Sequence, residues 1–211
     1  MKLSKLVIAI AAVCGSISAN AAVVGALGGG FGSFLQLSGG VGGGLGVGAS
    51  VATLSGGTVY TADQPFADIP KGGIFGGKFL AAGPTSGSPA TLTFTGGGVD
   101  YISFLWGSPD RYNQLTVTST GMGSQTFNVV DLGFLVTNGD QNFSQYVQFT
   151  GVSGSKITSL TFANQPSNDA FETANYSVTP VPEPETYALM LAGLGAIGFM
   201  ARRRRNAQAS T

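Results

Sequence analysis

The sequence predicts an all-β protein, an antiparallel β-sandwich of jelly-roll type, flanked by an N-terminal signal helix and a C-terminal transmembrane helix. Three observations predict it. From about residue 74 onward apolar and hydroxyl side chains alternate with a period of two. Turn-forming residues break that alternation at short intervals, and no segment with a 3.6-residue period lies outside the two ends. Composition agrees: of 211 residues 34 are Gly and only 9% are charged, which suits a turn-rich β protein and excludes both a coiled coil and a charged disordered tail.

Residues 1–21 read as a signal peptide. Lys2 and Lys5 precede the unbroken apolar run 6–13, and Ala19-Asn20-Ala21 presents the small residues that signal peptidase accepts, so cleavage is expected before Ala22. Cys14 invites a lipoprotein reading, but the bulky Val13 stands where a small residue is needed. Residues 22–57 form a Gly-rich lead-in, either flexible or contributing edge strands; from Gly25 to Gly57, 14 of 33 positions are Gly and none is charged. Residues 58–180 form the β-sandwich domain. Leu92 and Phe94, Leu115 and Val117, and Val147 and Phe149 each alternate with Thr or Gln, as half-buried strands do. The run 101–106 (Tyr-Ile-Ser-Phe-Leu-Trp) is apolar on both faces and predicts a central strand covered on both sides. Turns are expected at 96–98, 107–110, 120–123, 138–140 and 151–154.

Residues 181–205 have three parts, followed by a short tail at 206–211. At 181–185 Pro182 and Pro184 lack backbone N–H groups and force an extended chain that a protease cleft can hold. Residues 186–201 carry no charge and would span about 24 Å as a helix, short of the roughly 30 Å hydrocarbon core. Arg202, Arg203, Arg204 and Arg205 then belong on the cytoplasmic side. This arrangement resembles the PEP-CTERM sorting signal of bacterial surface proteins processed by the membrane enzyme exosortase. The resemblance implies that Pro182, Glu183 and Pro184 are the recognition residues, that the apolar run is a temporary inner-membrane anchor, and that the arginines set orientation. It further implies a Gram-negative producer with exopolysaccharide or biofilm machinery, and a product exported to the cell surface or beyond.

Two further stretches resemble secreted relatives. Residues 104–113 look like an aromatic-Trp-Gly-Ser-x-Asp-x-Tyr-Asn motif of some exosortase-dependent proteins. Residues 168–178 are similar to the Ala-Phe-Glu-x-Asp-Asn ending of many secreted β-sandwiches, with Ala174 where that pattern has Asp.

Absences narrow the chemistry. There is no His, and Cys14 is the single Cys, which closes His- or Cys-based nucleophilic catalysis, zinc sites and disulfides in the exported chain. Between the two ends, Lys71, Lys78, Lys156 and Arg111 face seven Asp and Glu172, an acidic balance that argues against nucleic acid as a partner. Two Gly-rich matches also fail. Residues 193–198 fit G-x-G-x-x-G but lack the acidic residue that should come after, and 72–79 resemble a P-loop but end in Phe79 where Ser or Thr must hold magnesium.

Trp106, Asp110 and Tyr112 could contact a saccharide, or Trp106 could be core and Asp110 a turn cap. Asp169, Glu172 and Asn175 offer oxygen ligands that would suit calcium (Ca2+); no other cofactor is suggested. The expected function is that of a non-catalytic exported surface or extracellular-matrix protein, a substrate of signal peptidase and exosortase associated with exopolysaccharide or biofilm. The alternatives are a carbohydrate-binding module of the cell surface and a secreted carboxylate-based glycoside hydrolase.

Overall fold

The computed structural model describes residues 22–30, 33–121, 123–164 and 169–178, together with helical backbone at 193, 194 and 197. The predicted signal peptide 1–21, the Pro182-Glu183-Pro184 element and Arg202 to Arg205 lie outside the described residues, as does most of the predicted membrane helix 186–201. Among the described residues no helix is long and apolar enough to cross a membrane.

The described residues form an all-β body of two antiparallel sheets. In chain order the strands are β1 (Val23–Leu27), β2 (Leu37–Ser38), β3 (Gly44–Leu45), β4 (Ala52–Ser55), β5 (Thr58–Tyr60), β6 (Phe79–Ala82), β7 (Ala90–Phe94), β8 (Tyr101–Gly107), β9 (Asn113–Ser119), β10 (Gly123–Phe127), β11 (Ser144–Gly151), β12 (Ile157–Asn164) and β13 (Phe171–Ser177). The first sheet runs β1-β11-β8-β13-β6-β5 and the second β10-β9-β12-β7-β4-β3-β2. From β6 to β13 the chain alternates between sheets in a nested order, except at β9 and β10, which are paired neighbours in the second sheet. Numbered one to eight, these strands read 6-3-8-1 in the first sheet and 5-4-7-2 in the second. The Gly-rich lead-in supplies β1 at one edge of the first sheet and β2 to β4 at one edge of the second.

Alternation in sequence becomes two faces in space. In β9, Asn113, Leu115, Val117 and Ser119 are buried while Gln114, Thr116 and Thr118 are only partly covered. The open face of β9 pairs hydroxyl with hydroxyl across to β10, Thr116 with Thr126 at 3.1 Å and Thr118 with Ser124 at 2.9 Å, so this edge is polar without being charged.

Aromatic side chains join the sheets. Phe104 of β8 meets Phe162 of β12 edge to face with ring centroids 5.6 Å apart, and Phe162 meets Phe171 of β13 at 5.2 Å. Trp106 stacks on Phe171 at 4.2 Å, and Phe134, from the β10–β11 connection, meets it edge to face at 5.2 Å. Each such pair contributes about 0.5–1.5 kcal/mol beyond its buried area.

All seven residues of β8 are buried because the outer face of the first sheet is covered as well. The connection between β5 and β6 folds over it, enclosing a second cluster of Ala67, Phe79, Ala81, Ala170 and Ala174, flanked by Tyr60, Phe66, Ile69 and Ile74. Asn175 clamps this cover. Its backbone sits at φ 54, at a break in the β13–β8 register. Its Oδ1 accepts from Phe75 N (2.6 Å), and its Nδ2 donates to Gly73 O (3.0 Å) and to the Tyr146 hydroxyl (2.7 Å).

Candidate functional site

At the end of the first sheet where β8 finishes and β13 begins, Glu172 lies opposite Gly107. Its side chain is on the outer face, beneath the β5–β6 cover, because Phe171 and Thr173 on either side point into the core. Around it stand residues from four separate stretches: Pro65, Phe66 and Asp68 of the cover, Ser108 and Asp110 after β8, Gly139 and Gln141 before β11, and Asp169 and Ala170 before β13. Together they line a narrow cleft of about 60 Å³. It opens beside a broader depression of about 440 Å³ lined by Asp63, Asp68, Lys71 and Gln141 among others.

Two buried asparagines place two of the acids. Asn113 is fully buried; its Oδ1 accepts from the Trp106 indole (3.4 Å) and from Asp110 N (2.9 Å), and its own N–H returns to Asp110 O (3.0 Å). Its Nδ2 donates to Asn164 Oδ1 (3.2 Å), and Asn164 Nδ2 in turn donates to Ala82 O (3.2 Å) and to the carbonyl of Asp169. One polar chain therefore runs from the Trp106 ring to the backbone of both Asp110 and Asp169. The tight corner also needs small residues. A Cβ on Gly107 would meet Pro70 at 2.9 Å, and one on Gly139, at φ 70, would meet Asp110 Oδ2 at 2.5 Å. Ser108 is held at φ 39, a left-handed conformation that non-Gly residues rarely adopt.

Asp68, Asp110, Asp169 and Glu172 bring four carboxyl groups to the cleft. Among the described residues the single ion pair is Lys156–Asp100, away from the cleft, so no cation pairs with the cluster. Burial pushes the Glu172 carboxyl well above the usual carboxylate range, against the pull of backbone N–H groups at Glu172 and Asp68, and the charges of Asp68 and Asp110 push it further. Its Oε2 has no hydrogen-bond partner although the residue is only 2% exposed. Asp110 is raised by burial, opposed by a hydrogen bond from the Tyr112 hydroxyl and reinforced by Asp169. Asp68 is raised by burial and by Asp63, with Gln141 pulling it down through a hydrogen bond and Asp169 pushing it up. Tyr112 is raised by burial, by its bond to Asp110 and by the surrounding acids. Among the described residues no three acidic side chains already converge as a ready-made coordination sphere.

The structure divides the residues singled out in the sequence. Trp106 is fully buried between Phe134 and Phe171 and presents no face to a saccharide ring, which corrects its reading as a sugar contact. Asp110 does line the cleft, and Tyr112 acts on it from beside, through its hydroxyl. Asp169 and Glu172 come together, but Asn175 does not join them: both ends of its amide are committed to the β5–β6 cover and to Tyr146, so it is a clamp rather than a metal ligand. Sequence reasoning misses Asp68 and Gln141 as site residues. Asp68 lies more than a hundred positions from Glu172 and no local pattern marks it; only the fold of the cover brings it there.

The family comparison concerns the other end of the chain. The PEP-CTERM protein-sorting motif matches residues 180–205, which hold Pro182-Glu183-Pro184, the apolar run and the four arginines. The chain carries a PEP-CTERM sorting motif. The motif implies export, a membrane-anchored C-terminal sorting signal and processing by exosortase. No curated protein and no solved structure matches the chain.

Proposed function

We propose that this protein is a non-catalytic surface or extracellular-matrix protein whose PEP-CTERM segment is a processing signal and whose two-sheet body is the delivered product. The single observation that carries the reading is the sorting motif at residues 180–205. In this scheme the signal peptide takes the chain across the inner membrane, the apolar run 186–201 arrests it, Arg202 to Arg205 stay on the cytoplasmic side, and exosortase acts near Pro182-Glu183-Pro184. Exposed apolar side chains on helical backbone at Leu194 and Ile197 support the anchor.

The strand order 6-3-8-1 over 5-4-7-2 supports a jelly-roll reading of the body. A body without chemistry of its own is supported by a chain that has no His and by the narrowness, about 60 Å³, of the cleft where Asp110 and Glu172 meet. Small-molecule sites usually enclose about 300–1,000 Å³, so the cleft does not admit a sugar ring between two carboxylates. Association with exopolysaccharide at the cell surface is part of this proposal and rests on the sorting motif.

The test is the intact mass of the protein recovered from producing cells with and without exosortase. The expected product begins at Ala22 and ends near residue 184 only when exosortase is present. Recovery of the chain still bearing Arg202 to Arg205 in both strains would refute the reading.

A further inference from the structure

We propose that Asp68, Asp110, Asp169 and Glu172 form a binding site for a calcium-like divalent cation, which pins the β5–β6 cover and the turn after β8 to the start of β13. Four stretches far apart in sequence each bring oxygen donors to one small cleft: carboxylates at Asp68, Asp110, Asp169 and Glu172, and an amide at Gln141. The donor set is all oxygen, with no His or Cys available, which selects a hard cation over zinc or copper.

An independent observation comes from Glu172. One oxygen of this carboxylate is bare although the side chain is buried and lines the cleft. A buried polar atom without a partner costs roughly 1–3 kcal/mol, so native structures rarely keep one without a reason. The surrounding backbone shows that the placement is built. Asn113 and Asn164, both buried, fix the main chain at Asp110 and Asp169, Ser108 accepts a left-handed backbone, and Gly139 leaves the Asp110 carboxylate room that a Cβ would occupy. Among the described residues no cationic side chain pairs with these acids, and a dication in the cleft would supply the opposite charge they lack. The cleft suits an ion with a few waters, since one water needs roughly 10–15 Å³ of such space. The site stands whatever the fate of the C-terminus.

The experiment uses the full chain in mild detergent, stripped with chelator, with thermal unfolding followed as calcium is added. At a calcium concentration a hundredfold above the dissociation constant the midpoint is expected to rise by about 5–10 °C. Sodium chloride at matched ionic strength should not reproduce the rise. Glu172→Gln and Asp110→Asn should each abolish at least half of it. If a variant does not fold, terbium supplies a second measurement on the unaltered chain: emission sensitised through Tyr112 and displaced by calcium. A midpoint indifferent to calcium without such emission, a rise equalled by sodium chloride, or one undiminished in both variants would overturn the site.

Discussion

At the residue scale, Glu172 is the position where burial and charge conflict most. In unfolded chain a Glu titrates near 4.3, whereas in the folded protein its carboxyl is held well above that by burial and then by Asp68 and Asp110. Between those two values the folded state binds more protons than the unfolded state, so metal-free stability should fall as pH rises from about 4.3 through the folded value. Glu172→Gln keeps the shape and removes the charge. It should flatten that fall and, at neutral pH in chelator, leave the variant at least as stable as the parent, read from urea midpoints across pH. A variant as pH-dependent as the parent would show that the conflict lies elsewhere. Asn113 is the opposite case, a buried polar side chain whose bonds are made. Asn113→Ala strips partners from the Trp106 indole, Asp110 N and Asn164 together, and should cost roughly 1–3 kcal/mol for each group left bare. Equilibrium unfolding checks it; a loss under about 1 kcal/mol would mean that water replaces the network. The sequence marks Asp169 and Glu172 because they are neighbours in a recognisable stretch. It places Asn175 with them for the same reason, and the left-handed backbone at Asn175 turns that side chain toward Gly73 instead.

At the element scale, legibility in the sequence depends on whether side chains mark the period. β7, β9 and β11 announce themselves by alternating apolar residues with Thr or Gln, and β8 by an apolar run with two covered faces. The lead-in has too few side chains to display a period, so residues 25–57 alone do not choose between loose chain and edge strands. Contacts decide it: after β1 the chain lies across the outer face of the first sheet, with Gly28 N donating to Tyr146 O (2.8 Å) and Leu35 N to Tyr176 O (2.7 Å). Gly30 at φ 80 sits against the Tyr146 ring, where an added Cβ would fall within 2.3–2.4 Å of ring carbons. Gly30→Ala should therefore cost about 1–2 kcal/mol from the left-handed backbone alone, and more from the clash. It should release the lead-in before the body melts, seen as faster proteolysis within residues 28–36 at a temperature where β8 amides still resist exchange. Equal protection of the lead-in in parent and variant would contradict this packing of Gly30 against Tyr146.

At the scale of the whole molecule, two parts obey different solvents. The body folds in water around a shared aromatic core, with weakly charged surfaces and an acidic balance. In the proposed scheme the segment 186–201 meets a bilayer that it falls short of spanning, since sixteen residues would reach about 24 Å as a helix against roughly 30 Å of hydrocarbon. Such a span holds weakly by apolar transfer alone, and its retention should depend on the arginines at its C-terminal end. Each Arg drawn to the centre of a membrane helix costs about 2.5–3.5 kcal/mol on insertion scales, so Arg202 to Arg205 supply a far larger barrier to passage than the span itself supplies retention. Replacing all four with Ser leaves Pro182-Glu183-Pro184 and the apolar run untouched. If the arginines act as the stop, that variant should slip through before processing and appear outside the cell with its C-terminus intact. Lengthening the run by about four Leu should restore arrest and with it the shortened product, because the span then matches the hydrocarbon without help. The two masses, measured in the same producing strain, separate a stop that works by charge from a recognition element that includes the arginines. In the second case the lengthened variant would be anchored but left uncut.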